Sequence, residues 1–306
     1  MSPHPEGDPA AACSNHSKAA ARSNQMNAEK TNYDLLYNPR LVVKDYQEIF
    51  DRWDKDSERA RASLDCYLDV PYGAAEAEKL DIFRAQGKSR ALLMYIHGGY
   101  WRSLEKKRFS FVAPALVEEE ITVAVPDYAL CPAVQVEDIV MQMVQACAWL
   151  YRNGGNFGAP ANRLYLCGHS AGGHLAAMML SCHWPKYSRN LPKKVVSAAM
   201  SISGLYDLTE IVKVPSVNCD VRLDEKSALK VSPAFLPPAT DAPLYTAVGQ
   251  DENEGFHIQN RLIGERWGKV RQADIPCPGA NHFTVLDQLC NPESGLFRSA
   301  LEMMGL

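Results

Sequence analysis

The stretch Asn162–Leu180, reading NRLYLCGHSAGGHLAAMML, restricts the folds open to this chain more than any other. Leu164 to Cys167 form a short apolar run of the kind a buried strand uses, and Gly168 ends it. From Leu175 onward Leu175, Met178, Met179 and Cys182 recur at helical spacing. Between the two lies Gly168-His169-Ser170-Ala171-Gly172, a G-x-S-x-G sequence. Strand, sharp turn and helix in immediate succession hold a serine hydroxyl out above a sheet edge, beside the positive end of the new helix. Glycines two before and two after leave room for helix and strand to approach closely. Ser170 is therefore read as a nucleophile.

Composition narrows the function classes. With 306 residues, 46% of them hydrophobic, the chain can bury a substantial core. The net charge is -4 with both signs interspersed, so there is no electrostatic footprint for nucleic acid or for an anionic membrane. The nine cysteines are odd in number, include no C-x-x-C pair and fall partly in apolar runs, which predicts reduced thiols and a cytoplasmic protein. No apolar signal region and no spanning-length apolar run is read, so neither secretion nor membrane insertion is expected. No H-E-x-x-H or zinc-like Cys/His spacing occurs, and no G-x-G-x-x-G or P-loop, so neither metal nor cofactor is expected.

Residues 1–27, rich in Ala, Ser, Asn and Pro, are expected to be a flexible tail, and residues 28–306 a single domain. In the segment from Tyr33 to Leu64, Tyr46, Ile49, Phe50 and Trp53 share a helical face, which reads as a small N-terminal cap whose stripe packs into the core. Leu64–Val70 and Lys79–Phe83 read as a hairpin around Pro71-Tyr72-Gly73. Ala91–Ile96 is a buried strand running into His97-Gly98-Gly99-Tyr100-Trp101, followed by a charged, exposed Glu105–Arg108 and a helix through Val117. Further strands are expected over Ile121–Val125, Val195–Ser203, Leu244–Val248 and Val270–Ile275. Helices are expected over Val136–Tyr151, Phe256–Trp267 and Phe283–Leu289, with a loop-rich excursion from Asp207 to Asp241. Alternating strands and helices of this length predict an α/β fold with a mostly parallel sheet covered on both faces.

A serine hydroxyl at its free pKa is a poor nucleophile and needs a base, an orienting acid and donors for an oxyanion. Behind a serine elbow the acid and then the histidine follow in chain order. Of the eight histidines, His174 and His183 lie on or just after the serine's own helix and only His257 and His282 come later, and His257 falls inside an expected helix. His282, in the loop Pro278-Gly279-Ala280-Asn281-His282-Phe283, is the base. For the acid, Asp251, Glu252 and Glu254 compete after the Leu244–Val248 strand; Glu252, three residues past Gly249, is preferred over Asp251. The N–H of Ala171 and the Gly98-Gly99-Tyr100 loop are the oxyanion donors. Trp101, Tyr128 and Tyr206, near strand ends, could wall in an aryl group.

The set His97-Gly98-Gly99-Tyr100-Trp101, Gly168-His169-Ser170-Ala171-Gly172-Gly173-His174, Ser203-Gly204-Leu205-Tyr206-Asp207-Leu208 and Asn281-His282-Phe283 is similar to the α/β-hydrolase superfamily. Within it, the chain from about Tyr33 onward resembles the kynurenine formamidase (arylformamidase) family and esterases of the hormone-sensitive-lipase-like group. The Tyr-Trp that replaces a third glycine is the most specific sign. That branch often carries Asp where Glu252 stands, which keeps Asp251 open. The resemblance implies an α/β-hydrolase fold and acyl transfer to water through an acyl-enzyme on Ser170, with Trp101 and Tyr206 contacting a small aryl formamide or ester. It implies hydrolysis of N-formyl-L-kynurenine to L-kynurenine and formate, or alternatively a carboxylesterase acting on short-acyl esters. Intact serine, histidine and oxyanion glycines argue against a non-catalytic relative. Oligomeric state stays open, a homodimer included.

Overall fold

The period-two alternation of the strands sets the layering. In β3 (Ala91–Ile96) the side chains of Leu92, Met94 and Ile96 enter one buried cluster, and those of Ala91, Leu93 and Tyr95 the other. A strand buried on both faces reads as an unbroken apolar run, and β3 does. The computed structural model describes residues 31–160 and 162–306. From Tyr33 to Leu306 these form one compact unit, and the tail expected over residues 1–27 lies outside the described residues.

The sheet has eight strands in the order β1-β2-β4-β3-β5-β6-β7-β8. They are β1 (Cys66–Pro71), β2 (Lys79–Phe83), β3, β4 (Ile121–Pro126), β5 (Leu164–His169), β6 (Val196–Ile202), β7 (Leu244–Gly249) and β8 (Arg271–Cys277). β1 with β2 is the expected hairpin; β2 meets β4 antiparallel, and every pairing from β4 through β8 is parallel. The strand order reverses at the centre, between β3 and β5, where an open α/β sheet leaves a crevice beyond its carboxyl ends.

Helices Val136–Asn153, Ala171–Leu180 and Glu254–Arg266 cover one face. Helices Tyr46–Ser63, Ala113–Glu118, Val285–Leu289 and Gly295–Met304 cover the other. Tyr46–Ser63 buries Ile49, Phe50 and Trp53, each worth about 1.5–3 kcal/mol of transfer free energy. Among the described residues no helix is long and apolar enough to cross a membrane.

Three expectations need correction. In the Glu105–Arg108 stretch, Lys106 is buried, not exposed, with its Nζ 2.7 Å from both Asp69 Oδ1 and Asp81 Oδ1. A buried ammonium is tolerated there because two carboxylates compensate its desolvation. The Asp207–Asp241 excursion carries helices Thr209–Val212, Pro215–Val221 and Glu225–Lys230, all too short to generate a readable helical period. The chain also closes with a second C-terminal helix, Gly295–Met304, capped by the Ser294 hydroxyl, which accepts from the Phe297 N–H.

Candidate active site

The elbow is built from backbone contacts. Ser170 sits at φ 57°, ψ −119°, a region that disfavours side chains, and its N–H donates to the Ile202 carbonyl at 2.9 Å. At Gly172 a Cβ would come within 1.9 Å of the Ile96 carbonyl oxygen, so only glycine lets the helix lie against β3. Ala171, first residue of helix Ala171–Leu180, has an N–H without an intrahelical acceptor, free to meet an oxyanion.

The loop after β3 is held from below. The imidazole of His97 stacks between Tyr128 and Phe109, at ring separations of 4.3 and 5.5 Å, and its Nδ1–H donates to the Gly98 carbonyl at 2.7 Å. The Tyr128 hydroxyl donates to the His97 carbonyl at 2.9 Å. Gly99 then turns at φ 113°, where a Cβ would meet the Ser103 carbonyl at 2.0 Å. The Tyr100 hydroxyl donates to the Tyr37 carbonyl, tying this loop to the N-terminal helices.

His282 lies beyond β8 with Nδ1 2.6 Å from Glu252 Oε2. A carboxylate accepts, so Nδ1 carries the proton and Nε2 is left as the basic nitrogen. The other oxygen of Glu252 accepts from the Ser203 hydroxyl at 2.5 Å and from the Gly249 N–H at 2.7 Å. Asp251 is exposed; Glu254 is exposed and paired with Arg261 at 2.7 Å; His257 stands on helix Glu254–Arg266. Glu252 is thus the carboxylate that reaches the imidazole.

Two further histidines brace the site. His169 Nε2–H donates to the His282 carbonyl at 2.8 Å; burial, and then the nearby His282, hold its pKa well below the ordinary value, so it stays neutral. His174 accepts from the Trp101 indole N–H at 3.2 Å and donates from Nε2 to the Val231 carbonyl at 2.6 Å. Burial lowers its pKa to about 4.

Ser170, His282, Gly98, Gly99 and Tyr100 all front one cavity of about 150 Å³. Phe50, Trp53, Phe109 and Phe283 supply its aromatic lining, with Phe50 and Phe283 edge to face at 5.2 Å. Trp101 and Tyr206, expected to contact substrate, are fully buried and do not line it, and neither does Tyr128. Each has its polar tip on a buried partner: Trp101 on His174, Tyr206 on the Ser201 hydroxyl at 2.7 Å, Tyr128 on the His97 carbonyl. Rings so tethered pack under the loops instead of over the cavity. The stripe holding Phe50 and Trp53, read as core alone, was the available signal for the true wall. His97 and Ser203 carry supporting roles that their types and positions did not announce.

Comparison with known proteins agrees with this fold. The BD-FAE family model matches residues 80–234. A kynurenine formamidase of Salmo salar is 34% identical over 261 residues, spanning 81% of this chain and 85% of that protein. An isoprenylcysteine alpha-carbonyl methylesterase of Arabidopsis thaliana is 28% identical over 60% of this chain and 41% of its own length. A crystal structure from Silicibacter sp. TM1040, described as a candidate thioesterase, superposes with a TM-score of 0.77 at 29% identity, covering 89% of this chain and 98% of that one. The sheet order, the elbow and these relatives together make the chain a serine hydrolase of the α/β-hydrolase fold, and it belongs to the kynurenine formamidase family.

Proposed function

We propose that the protein is an arylformamidase that hydrolyses N-formyl-L-kynurenine to L-kynurenine and formate, with Ser170, His282 and Glu252 as its catalytic triad. The observation that carries the reading is the aromatic cavity that Ser170 and His282 both line, in a chain 34% identical to a kynurenine formamidase. His282 Nε2 takes the Ser170 proton as the oxygen attacks the formyl carbon. The negative oxygen is received by the Ala171 N–H and by the Gly98-Gly99-Tyr100 backbone. His282 returns the proton to the departing arylamine, leaving a formyl ester on Ser170. Water, deprotonated by the same nitrogen, attacks this ester and releases formate. Glu252 holds the ring in the tautomer that both steps need. The small formyl group leaves the aromatic lining to the leaving amine.

A cytoplasmic setting belongs to the same proposal and is supported by the eight described cysteines, all free. A second reading, a carboxylesterase acting on short-acyl esters, uses the same groups and is favoured by the methylesterase relative. The two separate on kcat/KM for N-formyl-L-kynurenine measured beside p-nitrophenyl acetate. Preference for the formamide supports the first reading, and ester turnover without formamide cleavage replaces it with the second.

A further inference from the structure

The lining of the cavity is unbalanced in charge. It includes two arginines, Arg40 and Arg102, and no carboxylate, since Glu252 is fully buried behind His282. The arginines differ. Arg102 directs Nη1 to Asp220 Oδ2 at 2.5 Å and to Cys219 Sγ at 3.8 Å, so its charge is matched while its remaining edge keeps its donors. Arg40 belongs to no ion pair among the described residues; its guanidinium lies 5.6 Å from the ring centres of both Tyr46 and Phe50. Stacking on rings orients a guanidinium but leaves its charge in place. Partial burial, together with repulsion from Arg102 and Arg108, lowers the Arg40 pKa from its usual value, opposed in part by the Tyr46 phenol.

Exposure gives the cavity a direction. Trp53 and Phe109 are about as buried as the core, whereas Arg40 is open to solvent and Arg102 partly so. Apolar rings therefore form the inner wall beside Ser170, and an uncompensated cation stands at the mouth. A neutral aryl ligand would leave that cation unmatched, whereas an anionic group reaching the mouth would gain charge-assisted hydrogen bonds.

We propose that Arg40, with the free edge of Arg102, is the group that selects for a carboxylate on the substrate's leaving group, binding it while the aromatic ring lies against Phe50, Trp53 and Phe283. The inference rests on the reading of Ser170 as the nucleophile and deepens it. Formyl and acetyl are too small to span from Ser170 to the mouth, so the carboxylate must belong to the amine or alcohol side. Arg40 is then a specificity residue that touches substrate away from the reacting atoms.

The test compares two substrate pairs, each matched in acyl group. The first is N-formyl-L-kynurenine against 2-formamidoacetophenone; the second is the acetate ester of 3-(4-hydroxyphenyl)propanoate against that of p-cresol. The quantity read is the kcat/KM ratio of the carboxylated to the neutral member. One or two charge-assisted hydrogen bonds predict a ratio of about ten to a hundred, carried mainly by KM. Raising salt should shrink it, because the arginine is solvent-facing. Arg40→Ala should bring it close to one, and Arg40→Lys should keep part of it. A wild-type ratio near one in both pairs, or a ratio that survives Arg40→Ala, overturns the proposal. If the ester pair shows the ratio and neither formamide is cleaved, carboxylate recognition stands and the formamidase reading falls. If both formamides are cleaved equally well, the formamidase stands and carboxylate recognition falls.

Discussion

At the floor of the cavity, position is set by the main chain: Ser170 at φ 57°, Gly172 against the Ile96 carbonyl, Gly99 against the Ser103 carbonyl. At the walls, position is set by side-chain packing: Phe50 stacked on Trp53 at 5.2 Å and edge-on to Phe283, with Arg40 above the rings. The elbow and the glycine loop hang from β3 and β5, paired central strands buried along their whole length, so their atoms cannot drift without breaking the sheet; His282 follows the edge strand β8. The walls come from helix Tyr46–Ser63, from the segments that carry Phe109 and Phe283, and from the excursion that supplies Val217, all held by side-chain packing. A change at the floor should thus act nearly all-or-none on chemistry, and a change in the walls should act by degrees on binding.

The largest effect expected is that of Ser170→Ala, which removes the nucleophile from a turn without touching the core. It should lower kcat by about 10⁴–10⁶ with the melting temperature little changed. Full activity in that variant would break the comparison at its root. Next comes the acid: Glu252→Gln should lower kcat by about 10²–10⁴ by upsetting the His282 tautomer, while Asp251→Asn, altering an exposed carboxylate, should stay within about twofold. Equal losses in the two variants would remove Glu252 from its role.

His174 joins the two regions, since it accepts from Trp101 beside the oxyanion loop and donates to Val231 in the excursion. Its folded pKa of about 4 lies below its ordinary value of 6.5. As pH falls through that window, the unfolded chain takes the proton first. The stability tied to the neutral ring is therefore complete above 6.5, declines between 6.5 and 4, and is gone below. It amounts to roughly 3 kcal/mol. Thermal melts of the wild type across that range should fall more steeply than those of His174→Gln, and parallel curves would show that the joint does not titrate. The smallest effect belongs to the wall. Phe50→Leu should raise KM by about two- to fivefold and leave kcat within about twofold, at roughly 1 kcal/mol of stability. A kcat collapse there would mean that wall and floor are coupled.

Legibility in the sequence follows the same division. The elbow, the oxyanion loop and the Ser170, Glu252 and His282 candidates could be read because each sits at a strand end, where chain order and glycine placement are local features. Glu252 against Asp251 was a matter of spacing until burial distinguished them: adjacent residues leave a turn in different directions, and one direction faces His282. The aromatic wall was misread because Trp101, Tyr128 and Tyr206 satisfy the same sequence description as a true lining residue. Whether a ring faces a cavity or a buried acceptor depends on segments far along the chain, such as His174 beneath Trp101. Lys106 was misread for the same reason: a lysine in a charged run reads as solvated until Asp69 and Asp81 arrive from another strand pair.

By itself the sequence determined the strand and helix alternation, the turn that carries Ser170, and the kind of chemistry a serine there can perform, since these depend on the periodicity and backbone freedom of neighbouring residues. The tertiary structure alone decided which rings line the cavity, which carboxylate reaches His282, and that Arg40 stands at its mouth with no ion-pair partner among the described residues. Those are properties of side chains brought together across tens to hundreds of residues, and no local pattern encodes which of several equivalent side chains will arrive.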